Sequence, residues 1–138
     1  MELLQFIYQN TKMGEDNLRA LLPKVKDTNL KSHLHKQLTG YSSLNNKAEE
    51  EIYKRSGSPK ENGTIAKLSS KMGVTMNTMI DNTPSHIAEM MIQGSTMGIV
   101  DMTKRMGQFK DTDHKTKALA DEVLHFEQEN IERLKSYL

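Results

Sequence analysis

Apolar side chains recur every three or four residues along most of the chain, and a few polar stretches interrupt the rhythm. Leu3, Ile7, Thr11, Gly14, Leu18 and Leu21 fall on one stripe. At about 100° per residue this predicts a helix over residues 2–22, closed by Pro23. Asp27 is a candidate N-cap for a second helix over 28–55, with an inward row of Leu30, Leu34, Gln37, Tyr41, Leu44, Ala48 and Ile52. SGSPKENG, residues 56–63, is the sharpest break. A shorter helix is expected over 64–80, ended by DNTP. Thr83 then caps, and Pro84 opens, a helix reaching about residue 106, where Gly107 ends it. KDTD, residues 110–113, supplies a loop and a cap for a last helix running close to Leu138. Its core row is Leu119, Val123, Phe126, Asn130, Leu134 and Tyr137.

Four long amphipathic helices on short loops must bury their stripes against one another. The economical arrangement is a single all-α domain over 1–138, an antiparallel four-helix bundle with the short helix in the crossover. The composition agrees. Leu, Met, Lys, Glu and Ala are common, whereas there are three prolines, three phenylalanines and no tryptophan, a mixture that favours helix over sheet. At 138 residues, such a chain buries roughly two-thirds of the surface its unfolded form exposes.

Charge narrows the functional classes. Nineteen Lys and Arg stand against eighteen Asp and Glu, interspersed rather than blocked, so there is no electrostatic footprint for nucleic acid or anionic lipid. The lack of cysteine removes disulfides, thiolate metal sites and thiol catalysis, and is consistent with a reducing, cytoplasmic setting. The N-terminal apolar run is too short for a signal segment, and no run approaches the ~20 apolar residues of a membrane-spanning helix. No Gly-rich phosphate loop, nucleophile elbow or Cys/His cluster is present.

The two halves echo each other. Gly14-Glu15 in the first helix corresponds to Gly94-Ser95 after Pro84, and HLHKQLTGY in the second helix can be laid on ALADEVLHF in the last. The overlay pairs Gln37 with Glu122, Gly40 with His125 and Tyr41 with Phe126. Two helix pairs separated by a crossover, a Gly-Glu on the first helix and Glu122-x-x-His125 on the last together resemble the ferritin-like superfamily. The layout is most similar to rubrerythrin-like members and small bacterial ferritin-like domains. That resemblance implies a site for two iron or manganese ions, held by about six ligands: a Glu from each of two helices and a Glu-x-x-His pair from each of the other two.

Carried over position by position, Glu15, Glu122 and His125 match the family's metal ligands. The partner positions fall on Gln37, Gly40 and Ser95, which lack the required carboxylates and imidazole. Half of the implied site is therefore missing, and the three survivors suit at most one weakly held ion completed by water. Against that reading, Glu122 and His125 three apart also form an ordinary polar pair on a helix flank, and Glu15 beside Asp16 an ordinary surface charge. Gln37, inside its row, is expected to be buried and hydrogen-bonded.

Ten methionines call for an account. Met72, Met76 and Met79 form one stripe, and Met90 and Met97 face away from Met91, Ser95 and Met102, which suggests a second covered face, taken either by the short crossover helix or by a second subunit in a symmetric homodimer. Gly94 and Gly98 suggest close helix packing. The expected function is non-catalytic: a structural or interaction protein, free of cofactor, on a ferritin-like scaffold with an eroded di-metal site. The alternative is an iron- or manganese-binding protein, an oxidoreductase or a storage protein, with an atypical site.

Overall fold

The protein is described from a computed structural model covering residues 1–61, 81–110 and 112–138. Among these residues all regular structure is helical and there are four long helices: α1 (Glu2–Leu21), α2 (Thr28–Lys54), α3 (Pro84–Gln108) and α4 (His114–Leu134). The expected helix over 64–80, with Met72, Met76 and Met79, lies outside the described residues. None of the helices in the described residues is long and apolar enough to cross a membrane.

Local chemistry accounts for most of the boundaries. The side chain of Asp27 accepts from Leu30 N, that of Thr83 from His86 N and that of Asp113 from Thr116 N, so each caps the helix it precedes. Pro84 occupies the first turn of α3, where a missing N–H removes no hydrogen bond. Two ends differ from expectation. Pro23 does not stop α1 abruptly but sits in a 3-10 turn, Leu22–Lys24, where its fixed φ is tolerated. Gly107 lies within α3, which ends one residue later. At the far end of α2, Ser56 adopts φ 60°, and Gly57 N bonds back to Ile52 O at 3.0 Å, closing the helix as a left-handed cap.

α1 packs along α2 and α3 along α4, each pair joined by a short connection, giving two antiparallel hairpins that face each other. The core has two apolar ends. One gathers Leu3, Leu4 and Ile7 of α1, Ala48 and Ile52 of α2, Met102 of α3, and Ala120 and Val123 of α4. The other gathers Leu18 and Leu21, Leu30 and Leu34, Ile87 and Met91, and Leu134. Thus α1 and α4 run one way and α2 and α3 the other, and Lys54 and Pro84 stand at opposite ends of the bundle. The residues that follow α2 are tied to α1. Gln5 donates from Nε2 to Ser58 O at 2.9 Å and accepts from Lys60 N at 2.8 Å, and Gln9 reaches Lys60 O at 2.8 Å. Arg55 grips Asp113 through two bonds of 2.8 Å, fastening the end of α2 to the start of α4.

Each fully buried Leu or Ile in these clusters contributes ~1.5–3 kcal/mol, so the apolar ends hold the bundle together. Between them the inward positions turn polar. Thr11 and Glu15 of α1, Gln37 and Asn45 of α2, Ser95 of α3, and Glu127 and Asn130 of α4 are all buried.

Candidate functional site

The polar middle of the bundle is a product of helix register. On α4 the buried residues include Thr116, Ala120, Val123, Glu127, Asn130 and Leu134, an unbroken alternation of steps of four and three. Any side chain on that row is carried inward, and at its centre the row bears a carboxyl group. α2 brings Gln37, Tyr41 and Asn45 to the same level, and α3 brings Ser95 and Gly98.

These groups are only partly satisfied. Asn45 Nδ2 donates to Tyr8 O at 2.9 Å and to Thr11 Oγ1 at 3.1 Å, while Thr11 Oγ1 donates to Ile7 O at 2.8 Å, so one side of the layer is closed. Gln37 Nε2 lies 3.1 Å from His33 Nε2. Burial, reinforced by Arg133 and Lys36, lowers the His33 pKa and favours the neutral ring that can accept this bond. The other side is open. Glu127 Oε2, Ser95 Oγ, Asn130 Nδ2 and Gln37 Oε1 are buried without a hydrogen-bond partner among the described residues.

Glu127 is the chemical centre of the layer, only 2% exposed. Its Oε1 accepts a hydrogen bond from the Tyr41 hydroxyl. Removal from water pushes its pKa up to about 7, because desolvation penalises the carboxylate more than Tyr41 and Ser95 relieve it. Tyr41 is raised well above its ordinary value for the same reason, with the charge of Glu127 adding to the effect. Ser95 Oγ stands close enough to ease both groups, yet it lacks the geometry of a hydrogen bond to either.

Three glycines shape the surroundings. A Cβ at Gly14 would lie 2.5 Å from Tyr41 Cε1, so the absence of a side chain lets the tyrosine ring lie flat against α1. Gly40 admits the Phe126 ring in the same way, and the Tyr41 and Phe126 rings meet edge to face with centroids 4.9 Å apart. At Gly98, in contrast, a Cβ would meet nothing among the described residues nearer than 3.8 Å, the distance to Glu127 Oε2 and Asn10 Nδ2. Beside it lies a cavity of about 50 Å³ between α1 and α3, with Tyr41 and Glu127 at its floor. That volume accommodates a few water molecules or a small organic group.

The residues singled out from sequence lie elsewhere or play other parts. Glu15 is 8% exposed rather than a surface charge, and pairs with Arg19 Nη2 at 2.8 Å. Glu122 is on the outside, 2.7 Å from Lys47 Nζ, and His125 lies outside as well, 3.1 Å from Glu129 Oε1. Gln37 and Ser95 are in the polar layer, while the space beside Gly40 is taken by Phe126. Among the described residues, no three His, Cys, Asp or Glu side chains converge as a metal ion requires. This donor set does not fit a pair of divalent cations, because among the described residues the buried layer offers two carboxyls, Glu127 and a Glu15 already paired with Arg19, and otherwise neutral groups. Glu127 belongs to no motif, and sequence reasoning from the Glu-x-x-His spacing passes over it. The signal that could have found it is the row through Ala120, Val123 and Leu134, on which it lies.

No family model, curated protein or solved structure matches this chain.

Proposed function

We propose that the protein is a non-catalytic structural or interaction module on a ferritin-like scaffold whose di-metal site has eroded. The observation that carries this reading is that the positions matching the family's ligands do not converge at the bundle centre. Phe126 occupies the space beside Gly40, Gln37 and Ser95 present neutral groups, and on the outside Glu122 pairs with Lys47 while His125 Nε2 lies 3.1 Å from Glu129 Oε1. Support for the scaffold comes from the helix directions. Two hairpins with α2 and α3 parallel need one long crossover, the connection that distinguishes ferritin-like bundles from simple up-down ones. The protein works in the cytoplasm as a homodimer, which is favoured by Val100, 45% exposed on α3.

Metal analysis of the purified chain, followed by titration with Fe(II) and Mn(II), tests the proposal. Substoichiometric metal and a thermal transition unchanged by chelator are expected. Stoichiometric binding that disappears in Glu122→Ala would instead establish the alternative, an iron- or manganese-binding protein. Light scattering should give twice the 15.7 kDa chain mass.

A further inference from the structure

The cavity beneath Gly98 has a feature that packing does not require. Two of the polar atoms around it, Glu127 Oε2 and Ser95 Oγ, are buried with no partner among the described residues, and both residues line the space. A buried acceptor without a donor is unfavourable, more so when charged, so the arrangement is complete only when something in the cavity donates to it. Above that polar floor the walls turn apolar, formed by Met13 of α1 and by Met91 and Met97 of α3. Met97 is 42% exposed, which places the mouth at the protein surface.

We propose that this cavity binds a small primary alkylammonium ion, its nitrogen held by Glu127 Oε2 and Ser95 Oγ and its methylenes lying between Met13 and Met97. The chemistry selects this class against its rivals. An anion would meet the carboxylate. A divalent metal ion would find one carboxylate among neutral oxygens and thioethers, too little charge for a hard cation. A quaternary ammonium has no N–H to donate to the two unpartnered oxygens, and a neutral alcohol offers a single donor with no charge to offset that of Glu127. A primary ammonium supplies three donors and one positive charge on a compact head. Thioether side chains are soft and adaptable, suited to an alkyl stem of variable length. The volume of about 50 Å³ limits the guest to a few heavy atoms.

The test is an amide NMR titration of the full chain at pH 8 and constant ionic strength. The probes are n-propylammonium chloride, n-propanol and tetramethylammonium chloride. Propylammonium should give saturable shifts centred on Ser95, Gly98 and Glu127, with propanol and tetramethylammonium at least tenfold weaker. Glu127→Gln should weaken propylammonium binding at least tenfold. Gly98→Ala should do the same while keeping the fold, because its added methyl would stand 3.8 Å from Oε2, in ordinary contact, inside the cavity. Absence of saturation, equal response to propanol, or undiminished binding in both variants would overturn the assignment and leave a cavity that holds only water. Metal analysis bears on the scaffold reading alone, so the two proposals fail separately.

Discussion

Replacing Glu127 with glutamine should remove a pH dependence of stability while leaving the shape of the bundle unchanged. The carboxyl is raised from an ordinary 4.5 to about 7 in the folded chain because it is buried between α2, α3 and α4. Below pH 4.5 folded and unfolded chains both carry the proton, and the group has no effect. Between 4.5 and about 7 the unfolded chain has lost it while the folded chain retains it, so the unfolded state binds fewer protons and stability falls as pH rises. Above about 7 both states are ionised and the full penalty remains. At 1.36 kcal/mol for each tenfold change in proton affinity, the rise from 4.5 to about 7 corresponds to roughly 3 kcal/mol. That is a large part of the ~5–15 kcal/mol by which domains of this kind are stable.

Glutamine keeps the Oε1 acceptor for the Tyr41 hydroxyl and carries no titrating proton. Urea unfolding followed by circular dichroism at pH 4.5, 5.5, 6.5 and 8 gives the stability of both proteins. The informative quantity is the difference between them at each pH. It cancels other titrating groups, including His33, whose lowered pKa makes stability rise with pH as the unfolded imidazole gives up its proton. The two proteins should be about equal near pH 4.5, and Glu127→Gln should lead by roughly 3 kcal/mol at pH 8. Parallel profiles over the whole range would show that Glu127 holds no proton near neutrality and would refute the account of the polar layer.

Gly14→Ala should destabilise the protein by about 1–3 kcal/mol despite the higher helix propensity of alanine, since the new methyl would lie 2.5 Å from the buried Tyr41 ring. Gly107→Ala, with none of the described residues within 4 Å of the added group, should raise stability by a few tenths to about 1 kcal/mol, and thermal melts of the two variants distinguish the cases. Asp113→Ala removes both the α4 cap and the two-bond grip of Arg55, and should lower stability by about 1–2 kcal/mol in urea at pH 7. Because Arg55 and Thr116 hold the Asp113 pKa far below its usual 3.8, this contribution is fully present above that pH and fades as the pH falls below it, so the gap between wild type and Asp113→Ala should narrow in acid. Lys47→Ala, at an exposed pair with Glu122, should change stability by less than about 0.5 kcal/mol, since water screens that interaction.

Much of the architecture was legible along the chain, because helix periodicity and capping are local. The α2 row from Leu30 through Gln37 and Tyr41 to Ile52 is buried throughout, Asp27 and Thr83 cap the helices they were expected to cap, and the cap expected within KDTD is Asp113. A side chain's position around its own helix is fixed by spacing, so spacing alone reveals it. The candidate chemistry was not local in this sense. Glu122 and His125 satisfy a spacing rule but lie on the outer flank of α4, whereas Glu127, which satisfies no motif, lies on the row that turns inward. Whether Gly98 meets a neighbouring helix or opens a cavity depends on how far α1 stands from α3, and that distance is set by the side chains of all four helices together. The sequence by itself determined which residues form helices and which face of α2 turns inward. Only the tertiary structure decided that the Glu127 carboxyl would be left at the centre, because its burial and elevated pKa arise from neighbours supplied by three other helices.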